Sequence, residues 1–177
     1  MTKREVMNCI MSLDSSKASG PNSIPSRVLT AINEVISEPL ADIINLSFAT
    51  GGFPDRLKIS DVLPSYKKDS KLAVSNYRPI SLLSNLDKIF EKLIYERTYS
   101  FLQHNNVFFR HQFGFCKKHS TSHAILNMIQ KIMDKLDEGD FACGVFVDLQ
   151  KAFDTVDHKI LLKKLCHYGI RGIPLDL

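Results

Sequence analysis

The chain has 177 residues, 44% of them hydrophobic and 24% charged, with 23 Lys+Arg against 19 Asp+Glu for a formal net charge of +4. That composition excludes a fully disordered chain, and the length can bury a core without disulfide or metal staples. No apolar run is long enough to span a bilayer, and the charged start Met1-Thr2-Lys3-Arg4-Glu5 is not a secretory signal, so an intracellular, non-secreted, non-membrane chain is expected, nuclear or cytoplasmic. The cysteines, Cys9, Cys116, Cys143 and Cys166, are widely spaced and contain no C-x-x-C pair. Reduced and mostly buried thiols are expected.

Residues 2–13 predict a short helix with Val6, Ile10 and Leu13 on one face. Ser, Gly and Pro content marks 15–22 as a loop. Pro25 opens a helix to about Ser37. A second helix is expected from Pro39, with Leu40, Ile43, Ile44 and Phe48 apolar, ending at Gly51-Gly52. Residues 59–67 and 76–82 read as strands joined by a polar linker. Ser84 and Asp87 form a capping-box pattern that opens a helix to about Gln103. Another helix spans about Thr121 to Leu136, with Ile125, Met128, Ile129, Ile132 and Met133 at helical spacing and Gly139 as terminator. Phe141 to Val147 reads as a short buried strand. A last helix covers about Val156 to Tyr168, capped by Gly169. No internal repeat stands out.

Charge is unevenly distributed. No acidic residue lies between Glu96 and Asp134, an interval holding Arg97, Arg110, Lys117, Lys118 and Lys131, His104, His111, His119 and His123, and Phe108, Phe109, Phe113 and Phe115. Basic residues interleaved with aromatics suit a backbone-tracking, base-stacking surface, and equally a solvated face over a Phe-filled core. The acids gather later, at Asp148, Asp154 and Asp157. Asp148 ends the apolar run 141–147, just before the turn into a helix. Strand alternation puts Ala142, Gly144, Phe146 and Asp148 on one face. A carboxylate so placed can hold Mg²⁺, or can cap the following helix.

Phe146-Val147-Asp148-Leu149-Gln150-Lys151-Ala152-Phe153-Asp154-Thr155-Val156-Asp157-His158 resembles the first catalytic motif of reverse transcriptases, in the version of non-LTR (LINE-type) retrotransposons. Three upstream blocks agree in order. Lys17-Ala18-Ser19-Gly20-Pro21-Asn22-Ser23-Ile24-Pro25 is similar to the family's N-terminal motif. Leu63-Pro64-Ser65-Tyr66-Lys67-Lys68 with Asn76-Tyr77-Arg78-Pro79-Ile80-Ser81-Leu82-Leu83 resembles its fingers hairpin. Gln112-Phe113-Gly114-Phe115-Cys116-Lys117-Lys118-His119-Ser120-Thr121 resembles the segment before the palm.

The resemblance implies an α+β fold: the fingers and partial palm of a right-hand polymerase, with a fingers-like region over about 1–140 and the start of the palm over about 141–177. It implies two-metal nucleotidyl transfer, with two Mg²⁺ ions in the complete enzyme. Asp148 matches the first metal-binding aspartate, and the Leu149 backbone carbonyl would add a metal contact. Phe153 matches the aromatic gate against a ribose 2′-hydroxyl; by itself it reads equally as a core Phe under the following helix. Lys67 and Arg78 fall where the fingers contact the incoming deoxynucleoside triphosphate. Taken alone, Lys67 could sit on a solvated hairpin tip and Arg78 could pair with a nearby acid. Arg110, Lys117 and Lys118 would help grip an RNA template through its backbone, with a DNA primer as the second nucleic acid.

The sequence departs from the family at Asn22-Ser23, where Asp-Gly is usual, and at Cys116, where Arg is usual. The family's Tyr-x-Asp-Asp motif is absent from these residues and would lie beyond Leu177, as would the remaining palm strands and thumb. Two functional classes therefore compete: part of an RNA-directed DNA polymerase, inactive alone, and a decayed retroelement relic acting at most as a non-catalytic RNA-binding module. A third reading takes Cys116, His119 and His123, with His111, as a tetrahedral zinc site.

Overall fold

The computed structural model describes every residue except 15, 17–19, 21–23 and 150. Most of the loop expected over 15–22, and most of the Lys17–Pro25 block, therefore lies outside the described residues. The chain divides into two compact units, Met1–Ser100 together with Lys164–Leu177, and Phe101–Lys163.

The first unit is built on helices. α1 (Lys3–Met11) opens with a full capping box: the Thr2 hydroxyl accepts from the Glu5 N–H, and the Glu5 carboxylate accepts from the Thr2 N–H. α2 (Ser26–Ala31) follows Pro25, and α3 (Asn33–Thr50) ends at Gly51, whose φ of 70° is the left-handed geometry of a helix C-terminus. The expected break at 37–39 is instead at Ile32, and Pro39 lies inside α3. Pro39 leaves only the Val35 carbonyl without its helical donor, and Val35 is exposed, so water can serve it. The buried pair Ser37 and Asn33 secures the new helix start, with the Ser37 hydroxyl donating to Asn33 Oδ1 at 2.7 Å. Asn33 Nδ2 also donates to the Met7 carbonyl of α1.

Two strands follow. β1 (Asp61–Tyr66) pairs antiparallel with β2 (Tyr77–Leu82), and the register sets Ser65 opposite Arg78 and Tyr66 opposite Tyr77. Gly20 packs on the end of this ribbon: its N–H donates to the Leu83 carbonyl, and a Cβ there would collide with the Leu82 carbonyl. α4 (Asn85–His104) starts at the predicted cap, with the Asp87 N–H donating to Ser84 Oγ at 3.1 Å.

The core of this unit joins one stripe from each helix: Val6, Cys9 and Ile10 from α1, Leu29 from α2, Leu40, Ala41 and Ile44 from α3, and Ile89, Phe90 and Leu93 from α4. Phe53 meets Phe90 edge to face, with centroids 5.7 Å apart. Cys9 is the one deeply buried cysteine; Cys116 and Cys166 are half-buried and Cys143 is exposed, which corrects the expectation of mostly buried thiols. Burial pushes the Cys9 thiol up to about 11.

The second unit holds α5 (Thr121–Asp137), whose N-terminus is capped by Ser120. No described residue of 101–163 is buried. The apolar stripe of α5 forms as predicted, yet Ile125, Met128, Ile129, Ile132 and Met133 all remain exposed. The buried strand expected over 141–147 is absent. Phe141, Val145, Phe146 and Val147 are exposed, and the segment joins no ladder, because the only sheet among the described residues is β1–β2. Apolar alternation makes a strand only where a neighbouring strand takes its N–H and C=O groups.

α6 (His158–His167) begins two residues later than expected because Asp157 is its cap: Asp157 Oδ1 accepts from the Lys159 and Ile160 N–H groups at 2.8 and 3.1 Å. It ends at Gly169, with φ of 99°. α7 (Ile173–Asp176) closes the chain and packs against the Gly51 end of α3. Among the described residues, no helix is long and apolar enough to cross a membrane.

Candidate functional site

In the first unit, the β1–β2 hairpin brings Lys67 and Arg78 to one face. Arg78 lies opposite Ser65, and Lys67 stands two residues beyond Ser65, on the same side of the pleat. The Lys67 N–H donates to the Asn76 carbonyl at 2.9 Å, extending the pairing past β1. Lys68 falls on the opposite side. The hairpin tip is tied down by its own residues. Tyr66 Oη donates to the Asp69 carbonyl, Tyr77 Oη to the Lys71 carbonyl and Asn76 Nδ2 to the Ser70 carbonyl, while the two tyrosine rings meet at 5.7 Å. Both cations remain exposed. An exposed Lys and Arg on one face form a ready site for phosphate oxygens, a mobile point charge beside a planar fork.

In the second unit, Asp148 lies at the end of the irregular segment from Phe141, with its side chain exposed and no hydrogen bond or ion pair among the described residues. Leu149 is exposed beside it. Asp157 is occupied as the α6 cap, so the later acids do not gather around Asp148. Among the described residues, no three His, Cys, Asp or Glu side chains converge on a point. That corrects the zinc reading of Cys116, His119, His123 and His111: His119 Nδ1 faces the Lys117 carbonyl, and His111 meets Lys131. For magnesium the available donors are one carboxylate and one carbonyl. These fit the ion's habit of taking one or two carboxylates and completing its shell with water and substrate phosphates.

Phe153 is exposed, not a core residue, and its ring meets Phe115 edge to face with centroids 6.1 Å apart. The predicted cations Arg110, Lys117 and Lys118 are exposed in the loop before α5, where Phe115 and Lys118 both take positive φ. Arg97 belongs to the other unit and is committed there, with Nη2 2.6 Å from Glu5 Oε1.

Two contacts escape sequence reading. The Phe115–Phe153 pair spans two separate motif blocks. His111 Nε2 lies 3.4 Å from Lys131 Nζ across twenty residues of sequence. Partial burial, then the charges of Lys131 and Arg110, hold the His111 imidazole below its usual value, against an opposing hydrogen bond to Asn127. The residues are visible in the acid-free interval, but their pairing depends on how the loop folds onto α5.

The family model described as reverse transcriptase (RNA-dependent DNA polymerase) matches residues 65–175. The chain is 32% identical over 162 residues to the "Probable RNA-directed DNA polymerase from transposon BS" of Drosophila melanogaster, covering 91% of this chain and 18% of that protein. It is 32% identical over 165 residues to the "RNA-directed DNA polymerase from mobile element jockey" of the same organism, covering 93% of this chain and 18% of the relative. The "Probable RNA-directed DNA polymerase from transposon X-element" is 28% identical over 155 residues, covering 87% and 17%. The chain thus spans under a fifth of the length of the curated relatives it matches.

Proposed function

Because the chain belongs to the reverse transcriptase family of non-LTR, LINE-type retrotransposons, we propose that it supplies nucleotide contacts, template grip and one catalytic carboxylate to an RNA-directed DNA polymerase. The observation that carries this reading is the family match over 65–175, which contains Lys67, Arg78, Asp148 and Phe153. In this reading residues about 1–140 act as fingers and about 141–177 begin the palm.

Lys67 and Arg78 neutralise and orient the triphosphate of an incoming deoxynucleotide from one hairpin face. Asp148, with the Leu149 carbonyl, would hold Mg²⁺, which when bound stabilises charge on the attacking 3′-oxygen and the departing pyrophosphate. Phe153 would stack under the sugar and exclude a 2′-hydroxyl. Arg110, Lys117 and Lys118 would follow the RNA template by its phosphates, which carries no sequence information. The 177 residues contain no Tyr-x-Asp-Asp, so polymerisation by this chain alone is not expected.

Primer extension on an RNA template tests the reading. The 177-residue chain should give no Mg²⁺-dependent product. A longer protein read from the same locus and containing Tyr-x-Asp-Asp should extend the primer and lose that product on Asp148→Asn. Product that survives Asp148→Asn removes the catalytic assignment. A stop codon directly after Leu177 at the locus would favour the non-catalytic RNA-binding relic.

A further inference from the structure

His111 and Lys131 come from different elements, the loop before α5 and α5 itself, and meet at 3.4 Å. Asn127, one turn earlier on α5, hydrogen-bonds the same imidazole, and the charge of Arg110 reaches it from the loop. No carboxylate pairs with Arg110, His111 or Lys131 among the described residues. Of the acids that follow Lys131, Asp134, Glu138 and Asp140 are engaged elsewhere. Asp134 accepts from Gln130 Nε2 at 2.7 Å, and Glu138 and Asp140 are both taken by Lys135. The Phe109 ring stands edge-on to His111, with centroids 5.3 Å apart, and is 67% exposed.

Convergent donors with no anion among them attract one. An exposed aromatic next to a phosphate-sized cationic site can in addition stack a base. We propose that Arg110, His111, Lys131 and Phe109 form a one-nucleotide site for single-stranded RNA, with the phosphodiester held by the three basic side chains and the base stacked on Phe109. The site rests on the polymerase reading and deepens it, by adding His111, Lys131 and Phe109 to the template cation Arg110.

The site has a built-in proton dependence. Lys131 Nζ, which can only donate, lies 3.4 Å from His111 Nε2, so this contact uses that nitrogen as an acceptor. A phosphodiester oxygen can replace Lys131 as the partner only if Nε2 gains a proton and donates. The groups facing the ring are Arg110, Lys131, Asn127 and Phe109, and none is an acid that would protonate it without the ligand. The Asn127 bond, which favours the protonated ring, opposes a mere tautomer shift, so binding takes up a proton and affinity rises as pH falls through the histidine range.

Fluorescence anisotropy with a labelled oligouridylate and the 177-residue chain tests the site. Lys131→Ala should lower the slope of log affinity against log salt by about 0.7, the value of one single-strand phosphate contact. Lys131→Arg should restore it. Phe109→Ala should weaken binding about fivefold or more, the size of one lost stacking contact. His111→Gln should flatten the pH dependence. None of the three side chains is buried, and unchanged urea midpoints will establish that the variants are folded. Undetectable binding by the wild-type chain, slopes and pH profiles unmoved by these variants, or equal binding of duplex DNA with the same sensitivities would each overturn the site. Primer extension by the longer protein, with Asp148→Asn as its control, judges the polymerase reading separately.

Discussion

The two units carry similar helical patterns and reach opposite ends. In Met1–Ser100 with Lys164–Leu177, α1 to α4 each give a stripe to one core, and Val6, Ile10, Leu29, Ile44 and Ile89 are sealed from solvent. In Phe101–Lys163, α5 has an equally regular stripe and buries none of it. Amphipathic spacing therefore specifies which face of a helix is apolar, and a second surface decides whether that face is worth anything in stability. The contrast extends to the candidate site residues. The hairpin that carries Lys67 and Arg78 stands in the packed unit, whereas Asp148 and Phe153 stand on exposed chain.

The largest test of this contrast is truncation of matched apolar residues. Phe90 is fully buried and meets Phe53 edge to face, so Phe90→Ala should cost about 3–5 kcal/mol in urea unfolding. Ile129 in the α5 stripe is 47% exposed, and Ile129→Ala should cost under about 1 kcal/mol. Equal losses at the two positions would mean that α5 is covered in solution, and the contrast would fail.

A second test sharpens the picture of the packed unit through pH. Asp87 is buried at the head of α4, and one of its carboxylate oxygens, Oδ1, has no partner among the described residues. Burial raises its carboxyl above the ordinary carboxylate value, outweighing the Ser84 hydrogen bonds; Glu91, one turn on, is raised by burial and then by Asp87. The folded state therefore binds this proton more tightly than the unfolded chain does. The stabilisation is full below the unfolded value and is lost as pH rises through the folded one. Asp87→Asn keeps an acceptor for Ser84 and removes the charge. The stability gap between wild type and variant, measured by urea unfolding between about pH 3 and pH 7, should move against wild type as pH rises. A gap that stays constant with pH would show that the buried carboxylate titrates normally.

Sequence reading succeeds where structure is local. The Ser84 to Asp87 cap, the α5 span and the Gly169 terminus all follow from neighbours a few residues apart, and the β1–β2 hairpin from two strand-like runs joined by a polar linker. The Thr2 to Glu5 box has the same Thr-x-x-Glu legibility, although periodicity alone marks only the helix behind it. Reading fails where an element needs a distant partner. Phe141–Val147 has the composition of a strand but no strand beside it. Pro39 has the look of a helix boundary, yet the packing of Leu40, Ala41 and Ile44 on the other helices outweighs one missing hydrogen bond. The same division runs through the site. Lys67, Arg78, Asp148 and Phe153 can be named from motif order, and register alone then sets Lys67 rather than Lys68 on the face of Arg78. The His111–Lys131 meeting cannot be named, because no strand register or turn pattern ties the loop before α5 to that helix.

The smallest effect is expected at the ion pair that joins α1 to α4. Arg97 Nη2 reaches Glu5 Oε1 at 2.6 Å, but both side chains are substantially exposed. Glu5 also closes the α1 cap. Its Oε2 accepts the Thr2 N–H at 2.7 Å, and that bond is the main reason its carboxyl titrates below the usual value. Removing the arginine leaves the cap intact, whereas removing the glutamate opens it. Arg97→Ala should therefore cost under about 0.5 kcal/mol and lose what effect it has at high salt. Glu5→Ala should cost about 1 kcal/mol, largely independent of salt. Because the Glu5 carboxyl is depressed in the folded state, its contribution is present above the unfolded value and fades as pH falls through the folded one. Equal, salt-sensitive losses for the two variants would shift the weight from the cap to the ion pair. The packed unit would then owe part of its order to surface charge as well as to its buried stripe.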